Sequence, residues 1–444
     1  GREGGKSAQY TKCQESLHSH ARRPEQRKAF NQQTEDKRPR NIDNQRCDGK
    51  TCDKERPDGK TGSVPASRPD RATKGNNSQN LELHNTMPPA SDLRQDRLSR
   101  IRDRLKEISR QRYGCNADPV LLTDKGLAHD HFILPGTDRL FRVPKQSQMS
   151  LPPSDNLNYQ AACFRRAEPG GSTPALHDRI EPDDALPFGA LLVQHIHGRP
   201  AELPQDILAI SRCFAAIHGL PLPELFEPLL SYRNPLDGIL TEIHQQAEWL
   251  SHPAIASDAR EIIRAEISAA QQDATAIGNP ALCLITFDAH PGNYILQPDG
   301  SAVIVDLEKM RYATPGLDLA HATLYTSTSW DIEAGGILTT EQVAAAYAEW
   351  LRHVPAAFAR QARSSLLAER RVMWLWSVTW CAKWLAQSLP DYHNKTTQNW
   401  SKSLSDNALT RHVADRVDCY LQPDIIAGIC SEWQDDNALT ALCR

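Results

Sequence analysis

The sequence predicts an α+β fold of two lobes, a small antiparallel β lobe and a larger, mainly helical lobe, preceded by a disordered N-terminal tail. Large apolar side chains are scarce at the start of the chain, short strand-like runs separated by turn residues follow, and long helical periodicities dominate the second half. These observations divide the 444 residues into a tail at 1–97, an N-lobe at 98–197 and a C-lobe at 198–444.

The tail is too polar to offset the entropy of ordering it. Residues 1–86 carry 18 Lys and Arg against 12 Asp and Glu, whereas the whole chain has a formal net charge of −4. Because these charges are mixed in sign and aromatic residues are nearly absent, we expect a solvated tail and no nucleic-acid partner. The chain begins with Gly1, and Met87, just ahead of the first helical pattern, is a candidate natural start.

Cysteine spacing and hydropathy argue against a zinc protein, a disulfide-linked protein and a membrane protein. None of the eleven cysteines forms a CxxC pair, and Cys47 and Cys52 have no second ligand pair nearby, which disfavours zinc. The odd number of cysteines and the lack of a visible signal peptide indicate reduced thiols in a cytoplasmic protein. The most apolar run, 372–389, is interrupted by Lys383 and Gln387, so we expect a buried helix and no membrane partner.

The N-lobe pattern begins with a helix from Leu98, whose apolar residues recur every three or four positions until Gly114 ends it. Strand-like runs follow at 120–122, 131–134, 140–143 and 190–193, with a helical segment at 159–167. The C-lobe pattern predicts helices at 207–218, 236–250, 255–274, 340–351, 356–389 and 404–420, with a β-rich insert at 282–306.

The insert carries the most informative residues. Asp299–Gly300 is the pair that a two-residue hairpin turn favours, and this turn would place Asn293 directly opposite Asp306. Opposed residues have Cβ atoms about 4.5–5.5 Å apart, so an amide oxygen and a carboxylate would meet at the open end of the hairpin. Two hard oxygen donors at this spacing suit Mg²⁺.

A second carboxylate lies five residues upstream of the amide. Asp288 begins the loop DAHPGN, which Pro291 and Gly292 can turn sharply into the following strand. A carboxylate beside a bound metal–nucleotide can accept the proton of an attacking hydroxyl. The alternative is that Asp288, Asn293 and Asp306 are ordinary polar residues of loops and strand ends.

This segment resembles the aminoglycoside phosphotransferase and choline kinase superfamily, relatives of the protein kinases, whose loop reads His-x-Asp-x4-Asn before a hairpin that ends in Asp. The resemblance implies a protein-kinase-like fold, with Asp288 as catalytic base and Asn293 and Asp306 as Mg²⁺ ligands. It also assigns Asp318, in the Asp-Leu-Ala run, to the loop architecture. Thr286 stands where the family has His, so the hydrogen bond that usually braces the loop is replaced or missing.

The resemblance extends to the ATP site in the N-lobe. Gly126 would lie in the nucleotide-covering loop, and Arg142, with Lys145 in reserve, would face the nucleotide phosphates. Gln160 stands where the family has a Glu that binds that cation. A neutral amide forms a weaker hydrogen bond to the cation than a carboxylate does. The run 191–198 resembles the hinge, where backbone groups of three residues would pair with adenine, namely Gln194, His195 and Ile196.

The sequence therefore predicts an ATP- and Mg²⁺-dependent kinase that acts on a small-molecule hydroxyl, such as an aminoglycoside, choline or ethanolamine, thiamine or a sugar. The tryptophans Trp376, Trp380 and Trp384 share one helix face and could hold a choline-like cation, although such a stripe more often belongs to the core. A catalytically weak, nucleotide-binding relative is the alternative that Thr286 and Gln160 leave open. A protein kinase is disfavoured because no Asp-Phe-Gly segment is present.

Overall fold

A computed structural model of the chain describes residues 90–122, 128–331, 335–388 and 407–444. Within these residues the predicted two-lobed α+β architecture is confirmed: a five-stranded antiparallel sheet precedes a mainly helical lobe. The prediction of disorder at residues 1–89 and the predicted phosphate loop at Gly126 lie outside the described residues.

The N-lobe sheet has the order β1-β2-β3-β5-β4, and all neighbouring strands are antiparallel. Strand β4 did not stand out in the sequence, because its residues LHDRI do not alternate between apolar and polar. The strands are β1 (Val120–Leu121), β2 (His129–Leu134), β3 (Arg139–Pro144), β4 (Leu176–Ile180) and β5 (Ala190–Gln194).

Helix α1 (Ala90–Tyr113) covers one face of this sheet and begins ahead of the predicted start at Leu98. Its buried residue Leu105 belongs to the same apolar cluster as Phe132 of β2 and Phe141 of β3. The first turns contribute polar contacts instead, since Arg97 forms an ion pair with buried Asp130 at 2.7 Å. Apolar periodicity detects only the turns that pack in the core, so the predicted boundary at residue 97 falls inside the helix.

The opposite face of the sheet is turned toward helix α2 (Pro153–Ala167) and the C-lobe. Phe141 belongs to the cluster under α1, so side-chain alternation places its neighbour Arg142 on the opposite face. Arg142 pairs in register with His131 of β2, and His129, two residues away, shares that face. The strand pattern therefore collects polar side chains where the two lobes meet.

The C-lobe contains short strands near the lobe junction and helices behind them. Strands β7 and β10 pair with each other, and β8 lies between β6 and β9, all antiparallel. The strands are β6 (Arg199–Pro200), β7 (Cys283–Ile285), β8 (Tyr294–Leu296), β9 (Ala302–Ile304) and β10 (Arg311–Ala313).

Most predicted C-lobe helices are present, with ends that shift by a few residues. The helix predicted at 356–389 is two helices in the structure, because the helix is interrupted at 364–365, where the Ser365 hydroxyl donates to Glu369. The helices are α3 (Ile207–His218), α4 (Pro235–Ala247), α5 (Ser257–Ile277), α6 (Gly316–Thr323), α7 (Tyr325–Thr328), α8 (Thr340–His353), α9 (Ala356–Arg363), α10 (Leu366–Ser388), α11 (Asn407–Tyr420), α12 (Pro423–Gln434) and α13 (Ala438–Cys443).

Helix α10 is central to the C-lobe, as its run of apolar residues predicted. Trp374 and Trp384 are buried in the core that α4, α5 and α12 share with it. None of the helices in the described part of the chain is both long and apolar enough to cross a bilayer.

Candidate active site

A buried aspartate on α6 holds the backbone of the loop that follows β7. Asp318 accepts hydrogen bonds from the backbone amides of Thr286 at 2.7 Å and Phe287 at 2.8 Å. His218 donates its Nε2–H to the same carboxylate at 3.1 Å, while its Nδ1 accepts from the indole of Trp350 at 3.0 Å. Charge-assisted bonds in the core are strong, so the loop is firmly placed and the architectural role expected of Asp318 is confirmed.

The brace that the missing histidine would supply comes from α6 instead. The hydroxyl of Thr286 has no hydrogen-bond partner among the described residues. His321 of α6 accepts from the amide of Ala289 through Nδ1 at 3.1 Å. Between these positions Phe287 has a φ of 57°, a left-handed conformation that is uncommon for a bulky residue, and the guanidinium of Arg311 lies 3.7 Å from its ring centre. The substitution at Thr286 is therefore compensated from another element.

The hairpin after this loop has a register one residue away from the predicted one. Ile295 of β8 pairs with Val303 of β9, so the loop comprises the three residues 298–300. Gly300 adopts a φ of 83°, which closes a three-residue hairpin loop with a residue in the left-handed region. The Asp-Gly pair signals a tight turn correctly, but Pro298 and Gly300 favour the longer turn.

The predicted direct pairing of Asn293 with Asp306 is consequently wrong. Asn293 lies opposite Val305, whose amide donates to the Asn293 carbonyl at 2.9 Å. Its side-chain Nδ2 donates to the carbonyl of Asp288 at 2.7 Å, so Oδ1 is the end of the amide that remains for coordination. Asp306 follows the end of β9, where the ladder no longer fixes the side-chain direction, and it reaches the lobe junction from there.

Asp288, the predicted base, forms an ion pair with a lysine that sequence reasoning missed. Lys309 Nζ donates to Asp288 Oδ2 at 2.8 Å. Burial acts to raise the pKa of Asp288, but the charge of Lys309 together with His290 and His321 outweighs burial, and the net pKa lies below the ordinary value. The same pairing raises the pKa of Lys309 against the effect of its burial. Asp288 is therefore an ionised carboxylate with one cationic partner.

Asp306, the predicted metal ligand, is paired with the predicted phosphate-binding cation. Arg142 Nη2 donates to Asp306 Oδ1 at 2.6 Å, and its Nη1 donates to the carbonyl of Val305 at 2.7 Å. Burial opposes ionisation of Asp306, but Arg142 outweighs it and holds the pKa of Asp306 well below its usual range. The structure thus brings these two residues together across the lobe junction.

A chain of hydrogen bonds continues from Arg142 to a second acid. Arg142 Nη2 lies 3.4 Å from His129 Nδ1, and His129 Nε2 lies 3.2 Å from Gln160 Oε1. Gln160 Nε2 donates to Glu308 Oε2 at 3.4 Å. Gln160 therefore binds His129 and Glu308 rather than Arg142. The directions are consistent only if His129 is neutral with its proton on Nε2, and burial together with Arg142 lowers the pKa of His129 to about 3.

The other predicted nucleotide contacts lie at different places in the N-lobe. The ammonium of Lys145 lies 3.8 Å from Asp130, which also pairs with Arg97 of α1. In the hinge, the amide of Gln194 donates to Ala175 O at 2.8 Å and that of His195 donates to Asp138 O at 2.9 Å. Among the three hinge residues, Ile196 is thus the one whose amide is not committed to a backbone bond within the described residues.

An acidic residue and an aromatic residue that follow α7 contact the loop and α10, respectively. Gly292 lies so close to the carboxylate of Asp331 that a Cβ there would approach it to 2.4 Å, which explains the glycine. Trp330 contacts Trp380 of α10 with ring centres 5.8 Å apart.

The two outer tryptophans of the α10 stripe have different surroundings. Trp376 contacts the loop residue Phe287, with ring centres 4.9 Å apart, and donates to Glu242 at 3.0 Å. Trp384 is in the core. The stripe therefore belongs largely to the packing, and one end of it supports the loop.

The donor set fits a magnesium–nucleotide complex. Asp306 and Asn293 supply the oxygen ligands that Mg²⁺ prefers, and Glu308 adds a buried carboxylate two residues beyond Asp306. Arg142 supplies a guanidinium suited to phosphate oxygens. Glu308 and Lys309 were not predicted as part of the site. The pattern Asp306-x-Glu308-Lys309 was the one feature of the sequence that could have indicated them.

Comparison with known proteins identifies a family for this chain. A family model described as the phosphotransferase enzyme family matches residues 136–358, which is half of the chain and includes the loop, the hairpin and Arg142. No curated protein matches the chain significantly.

Solved structures that are similar to the chain match it at low sequence identity. A putative aminoglycoside phosphotransferase from Ralstonia eutropha has a TM-score of 0.51 and 11% identity, with 75% of this chain and 97% of that chain covered. A choline/ethanolamine kinase family protein from Mesorhizobium loti has a TM-score of 0.47 and 16% identity, covering 72% and 99%. An ethanolamine kinase from Plasmodium vivax has a TM-score of 0.49 and 11% identity, covering 80% and 99%.

The resemblance seen in the loop and hairpin is thus confirmed by a match that extends well beyond them. The chain belongs to the phosphotransferase enzyme family.

Proposed function

We propose that the protein transfers the γ-phosphate of ATP, in the presence of Mg²⁺, to a hydroxyl group of a small molecule. The observation that carries the proposal is the convergence of Asp288 and Asp306 at the lobe junction. Each acid has a cationic partner, Lys309 and Arg142, and both acids contribute to the electrostatics of the same buried site.

Asp306 and the Oδ1 of Asn293 are the residues that would hold Mg²⁺. The bound ion would neutralise charge on the phosphoryl group during transfer. The bond from Asn293 Nδ2 to the carbonyl of Asp288 ties this ligand to the loop, so the metal ligand and the base keep a fixed spacing.

Asp288 would accept the proton of the acceptor hydroxyl. As the hydroxyl oxygen forms its bond to the γ-phosphorus, the bond to the β,γ-bridging oxygen breaks, and ADP carries away that electron pair. Because its pKa lies below the ordinary value, Asp288 is a weak base. Phosphoryl transfer relies mainly on positioning and electrostatics, so a well-placed weak base that orients the hydroxyl is sufficient.

Arg142 would exchange its bond to Asp306 for bonds to phosphate oxygens when nucleotide enters. A guanidinium binds phosphate in the same forked geometry that it uses for carboxylate, so the exchange keeps its charge paired. Lys145 remains the reserve cation, and Lys309 would keep Asp288 ionised.

The acceptor is a small alcohol whose identity the comparisons leave open. Aminoglycosides, choline, ethanolamine, thiamine and sugars form the panel to test, because the structurally similar proteins include aminoglycoside phosphotransferases and choline/ethanolamine kinases. Asp331, which lies against Gly292 of the loop, and its neighbour Trp330 favour an acceptor that carries a positive charge.

The test combines a thermal-shift titration with Mg²⁺–ATP and an ATP-consumption screen over this panel. We expect stabilisation by Mg²⁺–ATP and turnover with one acceptor class. Asp288→Asn should lower kcat by about 10²–10⁴-fold and leave the Kd for nucleotide nearly unchanged. Turnover by Asp288→Asn at the wild-type rate would contradict the assignment of the base.

A catalytically weak, nucleotide-binding protein is the second candidate, because both essential carboxylates are already paired with cations of the chain. It predicts Mg²⁺–ATP binding with no turnover on any acceptor. The same two measurements separate the candidates.

A further inference from the structure

His129, Asp306 and Glu308 form a mixed group of possible metal ligands at the lobe junction. One ligand atom of each lies within 4.8 Å of the other two. His129 belongs to strand β2 of the N-lobe, whereas the acids follow β9 in the C-lobe. An ion bound to all three would therefore join the two lobes.

The hydrogen bonds of His129 orient it as a metal ligand. Its Nε2–H donates to Gln160 Oε1 at 3.2 Å, which fixes the tautomer and leaves the Nδ1 lone pair directed toward Arg142, whose Nη2 is 3.4 Å away. Metal-binding histidines commonly donate their other N–H to an oxygen acceptor in this way. A histidine that served only to fill the core would not need this orientation toward an acid pair.

Glu308 is a buried acid with little compensation. Its residue is 4% exposed, its one hydrogen bond among the described residues is a long one from Gln160 at 3.4 Å, and the imidazole of His129, 3.7 Å away, is neutral. Burying a carboxylate is costly unless a cation or several donors compensate it. A divalent ion would supply that compensation.

The guanidinium of Arg142 already lies where a cation would be bound. Its Nη2 is 2.6 Å from Asp306 Oδ1 and 3.4 Å from His129 Nδ1. Two of the three candidate ligands are thus arranged around positive charge in the metal-free protein. An incoming ion would replace this contact, and Arg142 would keep its second bond, to the carbonyl of Val305.

We propose that His129, Asp306 and Glu308 bind a divalent transition-metal ion such as Mn²⁺ in the absence of nucleotide. An imidazole nitrogen beside two carboxylates favours a first-row transition metal over Mg²⁺, which prefers oxygen ligands throughout. The site shares Asp306 with the proposed function but does not rest on it, since it requires neither ATP nor Asn293. An ion held there would tie the lobes together before substrate binds.

The test is a titration of the full-length, nucleotide-free protein with Mn²⁺, followed by electron paramagnetic resonance of the free ion. We expect one bound Mn²⁺ per chain, which an equal concentration of Mg²⁺ does not displace. His129→Gln should weaken binding at least about 10-fold. His131→Gln, two residues along the same strand, is the matched control and should bind as the wild type does.

Further variants separate this site from the Mg²⁺ site of the proposed function. Asn293→Ala should leave nucleotide-free Mn²⁺ binding unchanged while it impairs Mg²⁺–ATP binding. Glu308→Gln should lose affinity for Mn²⁺, and Arg142→Met should gain it because the competing charge is gone. Circular dichroism confirms that each variant is folded.

Three outcomes would overturn the proposal: no Mn²⁺ binding without nucleotide, unchanged binding in His129→Gln, or binding that Asn293→Ala abolishes. None of them bears on the kinase reaction, which Asp288→Asn and Mg²⁺–ATP turnover test separately.

Discussion

The two lobes hold their parts of the site in different ways. In the C-lobe, side chains of α6 bind the backbone of the catalytic loop, and Asp318 is itself held by buried His218. In the N-lobe, Arg142 and His129 reach the junction only through side-chain contacts to polar groups of the other lobe. Bonds within one lobe persist when lobes move, whereas bonds across the junction can exchange for ligands. The comparison teaches that the proposed base, Asp288, is pre-positioned, whereas the proposed phosphate-binding cation, Arg142, is held by bonds that a ligand could replace.

The largest effect should come from breaking the C-lobe support. Asp318→Ala removes the acceptor for two loop amides and leaves His218 buried without its partner. Each buried donor left unsatisfied costs about 1–3 kcal/mol, and three donors lose their acceptor, so the free energy of unfolding should fall by at least about 3 kcal/mol in urea denaturation. Asp299→Ala, in the exposed hairpin loop, is the control. A loss below about 1 kcal/mol would show that the loop does not depend on α6.

The second effect concerns the anchoring of α6 and depends on pH. Glu369 of α10 accepts from the amide of Gly316 at 2.6 Å, and burial raises its pKa to about 7. Because the folded pKa exceeds the unfolded value, the folded state binds the proton more tightly, and stability falls as pH rises from about 4.5 to about 7. The fall should amount to about 3 kcal/mol.

Glu369→Gln should remove this part of the pH dependence, because the amide stays neutral throughout. Urea denaturation of both proteins across pH 4–8 measures the difference. Parallel stability curves for the two proteins would mean that Glu369 is already ionised in the fold and that α6 is anchored otherwise.

A smaller effect should follow from changing the N-lobe cation. Arg142→Met removes a charge-assisted bond to Asp306 and the proposed contact with phosphate. Bonds to charged groups contribute about 1.5–3 kcal/mol, so the Kd for Mg²⁺–ATP should rise about 10–100-fold. Isothermal titration calorimetry measures it, with Arg139→Met, on the same strand, as control. Equal affinities would make Lys145 the phosphate-binding residue.

The smallest effect should come from Lys309→Met. Loss of the nearby positive charge should raise the pKa of Asp288, so the acid limb of the kcat/KM profile should move to higher pH. Lys309→Arg, which keeps the charge, should leave the limb in place. If the acid limb stays fixed in Lys309→Met, either Lys309 does not control the base or Asp288 is not the group that titrates.

The sequence could propose residues for this site because they lie within one short segment. Asp288, Asn293 and Asp306 could be chosen from turn residues and spacing, and the structure brings Asp306 together with Arg142 as an ion pair. The hairpin register was wrong because Asp-Gly and Pro-Asp-Gly turns differ by one residue, which local propensity does not separate. Lys309 and Glu308 were missed because the role of a charged side chain depends on the residues that lie opposite it in the fold, and the sequence does not show these.

The sequence by itself determined the two-lobed class, the order of the elements and the identity of the acids, because hydrophobic periodicity and turn chemistry are local properties of the chain. The tertiary structure alone decided how those acids are partnered. Asp318 caps the loop from 31 residues further along the chain, and Arg142 reaches Asp306 across 164 residues. Pairings of this kind depend on the packing of whole elements, and the charge on each side chain fixes only which partners it can accept.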